Sequence, residues 1–226
     1  MRHPMKLSRR KIGTFLGAAV IANVSQAQLP KLPGVGEKGG GGNIDADVKN
    51  FLDLSINIEK TLLSSSLAII AAYQSEEERA KSQASYAEVQ KTTEAKEAGA
   101  KFQAISESNK ANMEKLSASS DFAEKTKNLS EAKQKQVAAG VFNFLIGALQ
   151  AKDLLPTGQS IMQGATSNPM NITKVIPIKD AIPRLSTAMN LASTTIPKFV
   201  KVLQGANISI PNATSKSTPA EQPASI

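Results

Sequence analysis

The stretch from Ile44 to Gln74 carries two separate rows of apolar and small residues, and this constrains the fold more than any other feature. Ile44, Val48, Phe51, Ser55, Ile58, Leu62, Ser65, Ile69 and Ala72 recur at alternating steps of four and three, a heptad-like stripe. Leu52, Ile56, Leu63, Leu67 and Ile70 form a second row on another face. A helix with one apolar stripe can lie on a surface, but one with two needs neighbours on both sides. The segment is therefore expected to be the central helix of an all-α fold.

Its neighbours can be read along the chain. Ser75-Glu76-Glu77-Glu78 has capping-box spacing, so either a new helix begins there or the first one continues. From Glu76 to Gln136 there are 11 basic and 11 acidic residues, with Glu77/Lys81, Glu97/Lys101 and Glu131/Lys135 in the favourable acid-first order. This predicts a long, largely solvated helical hairpin with a thin stripe of Ala80, Ala84, Ala87, Ala98, Phe102, Ile105, Met113 and Leu116. Ser117 to Ser120 marks the bend, and Asp121 with Glu124 can cap the return helix. That hairpin would bring Ile105 near Lys133, and Ala98 near Gly140.

The return helix turns apolar from Val137 to Leu149, and Leu155-Pro156-Thr157-Gly158 is expected to end it. A loop would lead to a last helix starting near Asp180. There Ile178, Ile182, Leu185, Met189, Ala192, Ile196, Phe199, Val200 and Leu203 fall within an arc of about 100°. Because the phase survives Pro197, this is one kinked helix or two nearly collinear ones, with Thr195 as a candidate cap and Gly205 as the closing C′ residue. The expected architecture is an elongated bundle of a long helical hairpin with central and C-terminal helices. It occupies residues 44–211, between a flexible Gly/Pro-rich leader (28–43) and a disordered tail (212–226) rich in Ser, Thr, Pro and Ala.

Composition limits the chemistry. The chain has no cysteine or tryptophan, and its one histidine, His3, lies in a segment that reads as a bacterial export signal. Arg2, Lys6, Arg9, Arg10 and Lys11 precede an apolar run from Ile12 to Val24, and Ser25-Gln26-Ala27 suits a signal peptidase. Cleavage is expected between Ala27 and Gln28, with delivery to the periplasm or the exterior. The general secretory route is favoured over the twin-arginine route, because Gly13 replaces the bulky apolar residue of the twin-arginine motif. Removing five of 27 basic residues leaves 22 against 19 acidic ones, a net charge of +3 rather than +8. The basic character of the full chain is thus mostly that of its signal, and no nucleic acid is expected as a partner.

Without His or Cys the mature chain has no imidazole- or thiol-based nucleophile and no such zinc site. No cofactor, metal or catalytic residue is assigned. Gly34-Val35-Gly36-Glu37-Lys38-Gly39 matches a dinucleotide fingerprint, but it lacks the preceding strand and following helix that such a loop needs. Asp45, Asp47 and Asp53 lack the ligand pattern of a divalent-cation loop, and Asp45 and Asp47 read as capping acids that complement the helix dipole.

Region 137–226 carries seven basic and three acidic residues, so Arg184, Lys198, Phe199 and Lys201 are the candidate interaction or membrane face. The leading function class is an exported, non-enzymatic helical protein acting through protein–protein interaction or scaffolding, with self-association among its options. A membrane-associated or lipid-binding protein at an anionic surface is the alternative. A periplasmic holdase-like chaperone is the third class, although no β-rich trimerisation segment is present.

Overall fold

The computed structural model describes residues 43–93, 95–167 and 169–221, the side chains of 95, 96 and 98 excepted. The segment that reads as an export signal, with its expected cleavage point between Ala27 and Gln28, and the expected leader up to residue 42 lie outside the described residues. The fold is all-α. Its helices are α1 (Ile44–Tyr73), α2 (Glu76–Lys91), α3 (Ala95–Ala118), α4 (Phe122–Lys127), α5 (Glu131–Thr166), α6 (Pro169–Ile172), α7 (Ile176–Thr194) and α8 (Ile196–Gly205), with a 3-10 turn at Thr173–Val175.

Helix α1 is the central helix its two apolar rows require. One face joins the main apolar cluster through Val48, Phe51, Ile58, Leu62 and Ile69, against residues of α5, α7 and α8 such as Phe144, Leu154, Ile178, Leu185 and Phe199. From the second row, Ile56, Leu63 and Leu67 pack with Val89 of α2 and Phe102 of α3 in a separate cluster. Leu52 and Ile70 of that row turn to the main cluster instead. Ser75 settles the junction in favour of a new helix: the Glu78 N–H donates to Ser75 Oγ at 3.4 Å, and the Ser75 N–H donates to Glu78 Oε2 at 3.0 Å.

The expected hairpin pairing is corrected. The long partner of α5 is α1, not α3. Gly140, Gly147 and Gly158 form one line along α5, where an added Cβ would come within 2.8 Å of Ile69 Cγ1, 2.9 Å of Leu62 Cγ and 2.6 Å of Phe51 Cε2. The absence of side chains at these positions is what lets the two helices approach closely. The thin stripe is corrected too. Phe102 and Met113 are buried, but Ala80, Ala84 and Ala87 are exposed, and α2 buries Ser82 and Val89. Ala80, Ala84 and Ala87 do share one face of α2, at steps of four and three, but that face turns outward, because a methyl group buries too little area to decide which face packs inward. Of the three expected ion pairs, Glu131–Lys135 forms at 2.7 Å, whereas Lys101 bridges to Glu88 of α2 at 3.3 Å.

Helix α5 does not end at Pro156 but runs ten residues further. Loss of a backbone N–H and the ring clash disfavour an interior proline by about 3 kcal/mol. Here Pro156 and Lys152 are exposed, so water reaches the freed carbonyl, while Gly158 and Ala165, on the same inner side as buried Leu154, are buried only if the helix continues. The last helix likewise starts at Ile176, earlier than Asp180, with Pro177 in the opening turn, where it forfeits no helical bond. At Thr195 the chain breaks into α7 and α8, with Pro197 opening α8 and no side-chain cap from Thr195. All nine residues of the predicted arc are buried or half-buried across that break.

The C′ residue of α8 is Asn207 rather than Gly205. Asn207 has φ 61°, the Ile208 N–H donates to Leu203 O at 2.9 Å and the Asn207 N–H to Gln204 O at 2.9 Å, the paired bonds of a Schellman motif. Asparagine tolerates the left-handed region because its short polar side chain can bond locally.

Residues 212–221, within the stretch expected to be a tail, run without regular structure alongside α5. Asn143 Nδ2 donates to Ala220 O at 2.8 Å, the Ala220 N–H donates to Asn143 Oδ1 at 2.7 Å, and Gln150 Nε2 donates to Ser215 O at 3.1 Å. Low hydrophobicity argued for disorder, but a main chain needs no apolar side chains to be held by carboxamides.

Candidate functional site

The four residues read as an interaction or membrane face do not share a face. Phe199 is fully buried and stacks edge-on against Phe122, ring centroids 4.8 Å apart, with Tyr73 at 6.5 Å completing an aromatic trio. The Tyr73 hydroxyl is within 2.9 Å of Thr126 Oγ1, and burial pushes its pKa up to about 12. Lys198 and Lys201 are exposed on the opposite side of α8.

Arg184 points inward. Its Nε donates to Glu59 Oε2 at 3.1 Å, with the two side chains only 10% and 5% exposed, and its guanidinium also donates to Asp180 O at 2.8 Å. Ser55 Oγ donates to the other Glu59 oxygen at 3.1 Å. Burial raises the Glu59 carboxyl above its ordinary value, outweighing the pull of Arg184 and the two hydrogen bonds. Sequence reading missed Glu59; the only signal was a lone acid set between two apolar rows.

A belt of polar groups ties α2, α3 and α5 to α1. Gln90 donates to Ser64 Oγ at 2.8 Å, Asn109 to Ser66 Oγ at 2.7 Å, Gln136 to Ala68 O at 2.7 Å, and Lys60 to Gln90 O at 3.1 Å. A cavity of about 360 Å³ opens between α1, α2 and α3, floored by Leu67, Ile70 and Ile105. Its buried polar residues are committed elsewhere: Ser82 donates to Gln74 Oε1 at 2.7 Å, and Asn109 serves α1. Among the described residues no buried side-chain nitrogen or oxygen lacks a partner. Of the acids at the start of α1, Asp45 pairs with Lys174 at 2.8 Å and Asp53 with Lys49 at 2.5 Å. No three acids or histidines gather into a cation site among the described residues.

Length and composition alone would let α1 and α5 each cross a bilayer. Their placement carries the weight instead: 83% of the α1 window and 56% of the α5 window is buried inside the bundle.

The large apolar side chains left exposed among the described residues are Met170 (81%), Ile172 (49%) and Ile176 (51%). They fall within seven residues, from α6 through the 3-10 turn into α7, with exposed Lys174 and Lys179 beside them. Lys174 ties this stretch to the first turn of α1. Periodicity could not find it, since the segment was expected to be a loop with no helical phase. No family model, no curated protein and no solved structure matches this chain.

Proposed function

We propose that this is an exported, non-enzymatic helical protein that works by binding another protein, with Met170, Ile172 and Ile176 as its docking residues. The observation that carries this reading is their exposure in a bundle that covers its other large apolar side chains among the described residues. Apolar groups of this size cost solvation free energy when left in water, and a partner that covers them recovers it. The absence of His and Cys from the mature chain supports a binding role over a catalytic one.

The test is affinity capture from the envelope fraction of the native host. Changing Met170, Ile172 and Ile176 together to serine should remove the partners that the wild-type chain retains, while the urea midpoint stays where it was, because these side chains contribute little to the core. Retention of all partners by the triple variant would reject this docking surface. Lys174 and Lys179 flank the residues and favour an anionic lipid as the second reading. Flotation with anionic but not neutral vesicles, abolished by the same variant, would favour it over a protein partner.

Export is part of the proposal and has its own expected result. Protein isolated from its host should begin at Gln28.

A further inference from the structure

We propose that the flank of α5 bearing Asn143 and Gln150 is a binding site for a non-helical peptide of mostly small residues, occupied in this structure by the chain's own tail and open to such a segment of a partner protein. The site is separate from the 170–176 stretch and does not depend on it.

Asn143 is an anomaly in its own helix. It lies within the most apolar run of α5 and is only 2% exposed, a position where a carboxamide is disfavoured unless both its donor and its acceptor are satisfied. Both are satisfied by one residue of the tail. Nδ2 donates to Ala220 O at 2.8 Å, and Oδ1 accepts from the Ala220 N–H at 2.7 Å. A side-chain amide paired in this way with the N–H and C=O of one residue reads main chain and not side chain, so it accepts any residue small enough to approach.

Gln150 repeats the device. It lies seven residues on, on the same side of α5 about 10 Å along the axis, and donates to Ser215 O at 3.1 Å. Both amides sit beside the glycine line that meets α1, so the tail runs along the edge of that seam. Between its two anchor points the tail folds on itself, the Thr214 N–H donating to Ser217 Oγ at 3.0 Å and the Ser217 N–H to Thr214 O at 3.1 Å.

What the tail contributes is its main chain. Ala213, Ser215, Ser217 and Ala220 are half-covered and the remaining residues are exposed. Ile208 and Ile210, before it, do pack against the main apolar cluster. The hold on residues 212–221 therefore rests mainly on the hydrogen bonds to Asn143 and Gln150. Each such bond contributes little net free energy, and an equivalent peptide can form the same bonds. The chemistry that fits is the tail's own: non-helical main chain with a turn between its anchor points, rich in Ser, Thr, Ala and Pro, without large apolar side chains.

The probe is a fluorescein-labelled peptide of residues 212–226, and the readout is fluorescence anisotropy with the full-length protein. Ala220→Pro removes the tail's N–H without touching α5. Because apparent affinity scales with the fraction of open sites, this variant should bind the probe about tenfold more tightly than the wild type. Adding Asn143→Leu should abolish that binding, and adding Gln150→Ala, at a half-buried position that leaves the core alone, should weaken it about fivefold. If Asn143→Leu fails to fold by circular dichroism, Gln150→Ala decides. The proposal is overturned if Ala220→Pro binds the probe no better than the wild type, or if its binding is indifferent to the α5 substitutions that fold.

Discussion

Replacing Arg184 with leucine should destabilise the folded chain by about 3–5 kcal/mol at neutral pH, because it leaves the Glu59 carboxylate buried without its counter-charge. The loss should shrink as the pH falls. Glu59 already titrates above its ordinary value of 4.5 in the folded state, because desolvation outweighs the attraction of Arg184. A carboxyl raised in this way favours folding in its protonated form. That contribution is fully present below about 4.5 and is lost as pH rises through the folded value. Removing the guanidinium raises the folded value further, so the variant follows a steeper curve and recovers toward the wild type in acid.

Urea titrations of both proteins at several pH values check this, and the difference between them is the informative quantity. Glu78, held low by the Ser75 backbone N–H, Asp121, held low by Ser119, and Glu131, held low by Lys135, all lose their contribution as pH falls. These effects are common to both proteins and cancel in the difference. Changing Glu59 to glutamine in the same variant should restore much of the loss, since a neutral amide is far less costly to bury. A pH-independent difference, or no rescue, would show that the pair is not the cause.

Phe144→Ala should cost about 3–5 kcal/mol. Phe144 is 2% exposed in the main cluster, on the helix that meets α1 most extensively, and truncation there leaves a cavity that close-packed neighbours cannot fill. Lys152→Ala, two turns along α5 and exposed, should stay within about 0.5 kcal/mol. Chemical denaturation of the two variants gives the comparison directly. Small and equal effects would mean that the apolar run does not form the core, and would return weight to the membrane reading.

The site was less legible in the sequence than the fold. Lys198 and Lys201 are exposed while Arg184 and Phe199 turn inward, a division the sequence hides because composition reports charge and bulk without direction. Met170, Ile172 and Ile176 went unnoticed, since exposure is a property of what fails to cover a side chain. Asn143 was visible as a polar interruption of the 137–149 run, but its partner, Ala220, is 77 residues away.

Some features follow from residues close together along the chain. Two rows on 44–74 place α1 in the centre, because a period near 3.6 maps directly onto faces of a helix. Ser75 and Glu78 start α2 through bonds spanning three residues, and the arc from Ile178 to Leu203 keeps its inward face across a break. Which helices meet, and where a helix stops, needed the assembled bundle. Gly140 could have faced any small-residue surface, and only α1 presents Ser65 and Ile69 at the right height. Pro156 disfavours a helix locally by about 3 kcal/mol, yet the helix continues and buries Gly158 and Ala165 further along the face that Leu154 opens. The tail offers no apolar period at all. Its place was set by two carboxamides on a distant helix, and a distant main-chain partner leaves no local trace in composition.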